Sequence, residues 1–124
     1  MNQSTRQSTR VFKTAVFAKA SKKAKITDRE LCKAILQVMQ GQADDLGGGI
    51  FKKRLNDNMH RSIILAKGGR HWIYEYLYAK KDRDNIDDDE LRQFRSLAKI
   101  YADMTDEHVA KLVERRHFLE ICHE

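Results

Sequence analysis

The segment from Trp72 to Leu91, WIYEYLYAKKDRDNIDDDEL, constrains this chain most. Its first half alternates aromatic and aliphatic residues, the period-two pattern of a buried strand. On that alternation Trp72, Tyr74, Tyr76 and Tyr78 share one face, and Ile73, Leu77 and Ala79 the other. The strand runs into the basic tip Lys80-Lys81-Asp82-Arg83. The acids Asp87-Asp88-Asp89-Glu90 then suit the first turn of a helix, with Asp87 and Glu90 at capping-box spacing. A strand of this kind needs sheet partners, and the helix after it needs a face to cover. A buried strand that ends in cations holds positive charge rigidly at a surface, where a polyanion is the natural partner.

The flanking sequence supplies the rest of the sheet. Ile50 to Leu55, Arg61 to Ala66 and His71 to Ala79 read as three strands, joined by the turns Asn56–His60 and Lys67–Arg70. Such short connections make an antiparallel meander, and Gly68-Gly69 suits a tight hairpin. Asp44 to Gly49 reads as a loop. Its three glycines lack the Lys-Ser/Thr that would make them a phosphate-binding loop. Upstream, Val11 to Lys13 opens a first strand, and Ala15 to Lys25 a basic helix with Val16, Phe17, Ala20 and Ala24 on one side. Thr27 and Glu30 form a capping box for a helix to about Gln40, which Gly41 ends; the two helices make a hairpin. Downstream, Leu91, Phe94, Leu97, Ala98 and Tyr101 form a helical stripe, Thr105 starts a shorter helix to about Val113, and Phe118 to Cys122 suits a short strand.

The expected architecture is α+β: an N-terminal strand and helical hairpin, an antiparallel β-meander and C-terminal helices, with the helices against one face of the sheet. Residues 1–10, which repeat QSTR, read as a flexible N-terminal arm whose Arg6 and Arg10 could touch nucleic acid or simply be solvated. Residues 11–124 read as a single domain with a C-terminal extension from about residue 104.

Net charge is +6 and the pI about 9.4, which favours nucleic acid or an acidic protein as partner. No apolar run is long enough to span a membrane, and MNQSTRQSTR has no secretory core. Cys32 and Cys122 are far apart and match no paired motif, which reads as two reduced thiols in a cytoplasmic protein. HExxH, GxSxG and phosphate-loop patterns are missing. No cofactor or metal is expected. Asp44-Asp45 fits a turn, Asp87-Asp88-Asp89 fits a helix start, and His117, Cys122 and His123 have no closed zinc spacing.

The cations remain. Lys52 and Arg54 project to one face of their strand, with Lys53 between them. In a meander the start of the second strand, at Arg61, lies beside the end of the first. The end of the third, at Lys80, Lys81 and Arg83, lies at the same edge. Three distant basic groups therefore converge. Such a cluster suits RNA cleavage by the substrate's own 2′-OH, whose crowded phosphorane-like transition state needs fixed cations, a proton acceptor and a proton donor. Lysine can move protons, and arginine can bind two phosphate oxygens.

Taken together, RVFKT, DLGGGIFKKRL, RSIILAKGG and YLYAKKDRDNIDDDEL resemble the RelE/ParE superfamily of type II toxin–antitoxin toxins, in particular its RelE- and HigB-like members. The resemblance covers about Val11 to Tyr101, and A-K-x-x-R-D-N-I before an acidic helix start is its most specific part. It implies the α+β fold read above and a ribosome-dependent, metal-independent mRNA endoribonuclease that inhibits translation. It also implies a cognate acidic antitoxin, of helix-turn-helix type in some branches, with operator DNA reached only through that antitoxin. By position, Lys52 would accept a proton, Arg54 and Arg61 would stabilise the phosphate, and Lys81 would stabilise it or assist the leaving oxygen. Lys53, His60, Tyr78, Lys80 and Arg83 would contact RNA. Three departures stand out. Arg54 occupies a place where lysine is common, the turn before Arg61 is short, and Asp87 sits where some relatives have tyrosine. His60 then fits either a proton shuttle or simple turn filling, and Tyr76 or Tyr78 either base stacking or the core. A ParE-like inhibitor of DNA gyrase, or a non-catalytic relative that binds antitoxin or nucleic acid, fits the same fold.

Overall fold

The computed structural model describes residues 9–68 and 70–123. Its elements in order are β1 (Arg10–Thr14), α1 (Ala15–Lys23), α2 (Asp28–Met39), β2 (Asp44–Gly47), β3 (Ile50–Leu55), β4 (His60–Lys67), β5 (His71–Ala79), α3 (Asp88–Asp103), α4 (Asp106–Glu114) and β6 (Phe118–Ile121). They form one six-stranded sheet in the order β2-β3-β4-β5-β1-β6. The expected meander is present as β3-β4-β5, antiparallel throughout. β1 lies parallel to β5, and β6 runs antiparallel to β1. The α+β architecture thus matches its expectation. Most of the N-terminal arm, residues 1–8, and Gly69 of the β4–β5 turn lie outside the described residues.

Helix boundaries follow local chemistry. Thr14, Thr27, Asp87 and Thr105 each cap a helix by accepting a backbone N–H at the third helical position. Gly41, at φ +86°, ends α2: Gly41 N–H donates to Val38 O and Gln42 N–H to Gln37 O, the paired bonds of a left-handed helix stop. The Thr27–Glu30 box is only half formed. Thr27 Oγ1 accepts from Glu30 N, but the Glu30 carboxylate accepts a hydrogen bond from the backbone N–H of Asn56, in the β3–β4 turn. At α3 the expected box is complete.

Four features differ from the sequence reading. Asp44 to Gly47 is an edge strand, not a loop, because Asp44 and Asp45 pair with Lys52 and Phe51 while Gly47, Gly48 and Gly49, all at positive φ, turn the chain back. Helices cover both faces of the sheet, not one. On one face α1 and α2 pack on Val11, Leu55, Ile64 and Tyr74; on the other α3 and α4 pack on Phe12, Ile50, Ile63, Leu65 and Ile73. The four aromatic residues of β5 do not share a face. Ile63 pairs with Tyr76 and Ile64 with Tyr74, so Glu75 is an extra residue in β5 that reverses the alternation after it. Trp72 and Tyr74 face α1 and α2, whereas Tyr76 and Tyr78 join Ile73 on the α3 side. Leu77 accordingly packs with Tyr74's cluster, not with Ile73.

The cysteines are the fourth difference. Cys32 and Cys122 form a disulfide across 90 residues of sequence, rather than two reduced thiols. β6 carries Cys122 to the sheet edge beside β1, and its positive φ of +66° turns the chain out of the strand. Cys32 lies on α2, and both cysteines border the cluster under that helix. Their Cα atoms are 5.4 Å apart. Separation along the chain hides a proximity that only tertiary packing creates.

Candidate active site

The predicted cations are placed by strand register. Arg54 pairs with Arg61 across β3 and β4, and Arg61 pairs with Tyr78 across β4 and β5. These three therefore form one row across the end of the meander, on the α3 face. Lys52 lies two residues back along β3 on that face, opposite Ile63. Like-charged Arg54 and Arg61 directly opposite each other are unfavourable in a sheet that has only stability to serve. Arg61 is steadied by Nη1, which donates to Asn58 O at 2.9 Å and His60 O at 3.2 Å. Arg54 is exposed and makes no side-chain hydrogen bond or ion pair among the described residues.

Lys52 is held from two sides. Its Nζ donates to Asn85 Oδ1 at 3.3 Å and lies 3.8 Å from the Asp44 carboxylate. The Lys52 side chain is only 17% exposed although its Asp44 partner is 67% exposed, so the amine rests in a crevice with an open side.

Arg83 is placed over Tyr78, 5.5 Å from guanidinium carbon to ring centre, a cation–π distance. Each of its three nitrogens donates: Nη1 to Glu90 Oε2 at 3.0 Å and to the Tyr76 hydroxyl at 3.3 Å, Nη2 to Glu90 Oε1, and Nε to Asn85 O at 3.0 Å. The hydrogen bond from Arg83 holds the Glu90 carboxyl below the usual carboxylate range, and Glu90 in turn raises the pKa of Arg83. Tyr78 is 5% exposed, and its buried hydroxyl has no hydrogen-bond partner among the described residues. Burial pushes its pKa up, against the opposing fields of Arg61 and Arg83.

The remaining predicted residues fall elsewhere. Lys53 and His60 lie on the opposite face from Arg54 and Arg61. Lys53 Nζ donates to Gln42 O at 2.8 Å, and burial followed by the charge of Arg54 lowers its pKa. His60 Nδ1 is 3.2 Å from Asn56 Nδ2, beside the turn gripped by Glu30. Lys80 and Lys81 are exposed beyond the end of β5 and make no side-chain hydrogen bond or ion pair among the described residues. They line a groove of about 560 Å³ with Met59, His60 and Asp84. Lys81 also borders a second groove, of about 500 Å³, that runs past Tyr76 and Arg83 to Lys23 on α1.

The structure thus assembles Lys52, Arg54, Arg61, Tyr78 and Arg83 on one face and sets Lys80 and Lys81 at its rim. Lys53 and His60 lie behind the sheet. Asn85, Glu90 and Tyr76 belong to the constellation as well. The signal for Asn85 and Glu90 was present in R-D-N-I and the capping acid, but spacing alone does not show that a cap can also bind a guanidinium. Of the acidic residues, Asp44 pairs in β2 beside Lys52, and Asp87 caps α3. Cys122 is committed to its disulfide.

No curated protein is similar enough to the chain to serve as a comparison. The model of one family, described as the RelE toxin of the RelE / RelB toxin–antitoxin system, matches residues 9–121. That span runs from the first described residue to the end of β6 and contains every cation of the row, so the chain belongs to the RelE toxin family.

Proposed function

We propose that this toxin is a ribosome-dependent, metal-independent mRNA endoribonuclease that stops translation in the cytoplasm. The observation that carries the reading is the Arg54–Arg61 pair, facing Tyr78 in register, with Lys52 on the same face. Arg54 and Arg61, directly opposite in register, bring two positive charges to one row, which a dianionic phosphorane bound there would match. A preference for the transition state over the ground state is what accelerates a reaction.

In the proposed step Lys52 takes the proton of a ribose 2′-OH. The 2′-oxygen attacks the adjacent phosphorus. Arg54 and Arg61 bind the two non-bridging oxygens, and the bond from phosphorus to the 5′-oxygen breaks. Lys81, at the rim, gives a proton to that leaving oxygen. The products are a 2′,3′-cyclic phosphate and a 5′-hydroxyl. Lys80 and the grooves beside it hold the flanking RNA, and Arg83 on Tyr78 forms a wall of the site.

Membership in the family implies a cognate antitoxin. An acidic antitoxin, which in helix-turn-helix form would also bring operator DNA, suits a toxin of net charge +6. Inducible expression tests the reading. New mRNA ends that need ongoing translation, abolished by Arg61→Ala or Lys81→Ala with the fold retained, support it. Accumulation of gyrase-cleaved DNA without new mRNA ends would replace it with gyrase inhibition. Soluble protein with neither effect would leave a non-catalytic binder.

A further inference from the structure

The R-D-N-I segment singled out in the sequence has no chemical role in the step above, yet the structure makes it the meeting point of the site. Asn85 is engaged through two different oxygens. Its side-chain Oδ1 accepts from Lys52 Nζ at 3.3 Å and from the next backbone N–H, of Ile86, at 2.9 Å. Its backbone carbonyl accepts from Arg83 Nε at 3.0 Å. The bond from Ile86 fixes the Asn85 amide, so the oxygen offered to Lys52 is aimed rather than free to rotate. Arg83 is in turn locked by the two oxygens of Glu90 and by the Tyr76 hydroxyl. Glu90 is anchored by accepting from Asp87 N at 2.9 Å while Asp87 Oδ1 accepts from Glu90 N at 2.8 Å. A continuous chain of hydrogen bonds therefore leads from the N-terminus of α3, through Glu90, Arg83 and Asn85, to the amine of Lys52.

We propose that Asn85 is a positioning residue for Lys52, and that the Glu90–Arg83 pair is a latch that holds Asn85 in place. A neutral amide suits this task. It orients the lysine amine without adding a second carboxylate to the one that Asp44 already presents at 3.8 Å. It also gives the acidic start of α3 a purpose beyond capping, because Glu90 satisfies the helix N-terminus and the Arg83 fork with one carboxylate. The loop between β5 and α3 then acts as a brace, set by helix capping and read out at a side chain on another strand.

The consequence for activity rests on the ribonuclease reading; the consequence for Lys52 does not. Two measurements keep them apart. Side-chain ¹³Cε relaxation reports the order of Lys52 in the intact free toxin. In the wild type Lys52 should be far more ordered than exposed Lys80. In Asn85→Ala its order should fall well toward that of Lys80, with only the longer Asp44 contact left, and in Glu90→Gln it should fall by less. Single-turnover cleavage on translating ribosomes gives the second readout. Asn85→Ala should slow the chemical step roughly 10-fold with ribosome affinity unchanged. The Lys52→Ala/Asn85→Ala double variant should be no slower than Lys52→Ala alone. Unchanged Lys52 order in Asn85→Ala overturns the brace. So does an equal loss from Asn85→Ala in the Lys52→Ala background, since Asn85 would then act elsewhere. A wild type that cleaves no RNA would overturn the ribonuclease reading instead, while the relaxation data still decide the brace.

Discussion

The two halves of β5 are built from similar residues and serve different ends. His71 to Tyr74 is paired on both sides, by β4 and by β1, and carries Ile73 and Tyr74 fully into the core. Tyr76 to Ala79 is paired with β4 but lies beyond the register of β1, and it carries Tyr76 and Tyr78 toward the cations. The bulge at Glu75 separates them. Tyr74 in the first half donates from its hydroxyl to Leu31 O at 2.7 Å and so ties α2 to the sheet. Tyr78 in the second half has a buried hydroxyl with no partner among the described residues, and a ring under Arg83. One inserted residue thus turns an aromatic stripe into a core half and a site half. A β-bulge commonly re-aims side chains beside a functional site in this way.

The largest expected effect falls on the core half. β1 flanks it, β6 flanks β1, and Cys122 ties that edge to α2. Closing a loop across 90 residues restricts the unfolded chain by about 4.6 kcal/mol in the chain-entropy treatment. Cys32→Ser, or reduction of the wild type, should lower unfolding stability by up to that order in denaturant titrations. Hydrogen exchange should rise first in β1 and β6 rather than in β3 and β4.

The site half should respond in the opposite sense, in rate rather than stability. Arg61→Ala should cut mRNA cleavage by about 10²-fold, the usual effect of losing one fixed transition-state donor. Its denaturation midpoint should hardly move, because Arg61 stands directly opposite the like-charged Arg54. Loss of stability in step with activity would assign Arg61 to the fold instead.

The tyrosines give the sharpest contrast from one chemical change. Tyr74→Phe should cost about 1 kcal/mol, the worth of a buried hydrogen bond. Tyr78→Phe should be neutral or slightly stabilising, since it removes a buried hydroxyl with no partner among the described residues. Parallel urea titrations compare them directly.

The smallest effect is on pH dependence. Arg83 lowers the folded-state pKa of Glu90 relative to the unfolded chain. Its contribution is therefore present above the ordinary carboxylate range and is lost as pH falls through the lower folded value. Glu75 has the other sign. Burial raises its carboxyl despite the hydrogen bond from Tyr101, so its contribution is complete below the ordinary carboxylate range and is lost as pH rises through the raised folded value. Glu90→Gln should flatten the acid limb of the stability–pH curve, and Glu75→Gln should flatten the stretch just above it.

The meander, the helix caps at Thr27 and Asp87, and the convergence of Lys52, Arg54 and Arg61 were legible in the sequence. Each depends on local pattern or on strand direction, which short turns fix. The faces of Tyr76 and Tyr78 were not legible, because a single inserted residue is invisible in an alternating string until its partner strand sets the register. The second role of Glu30 was hidden for a related reason: its spacing fits a capping box, but the Asn56 N–H in a left-handed turn offers a competing donor. The Cys32–Cys122 bond and the Asn85 brace depend on contacts between distant segments, which periodicity does not encode. Strand direction singled out the cations and the family resemblance implied their roles; the register places Lys53 and His60 behind the sheet.

The chemistry of the cut ends tests the central claim most directly. If Lys52 and the Arg54–Arg61 pair promote attack by the 2′-OH, mRNA fragments from purified toxin on translating ribosomes will carry 5′-hydroxyl and 2′,3′-cyclic phosphate ends. Those fragments will disappear with Lys52→Ala or Arg61→Ala. Fragments with 5′-phosphates, or cleavage undiminished in both variants, would contradict the account.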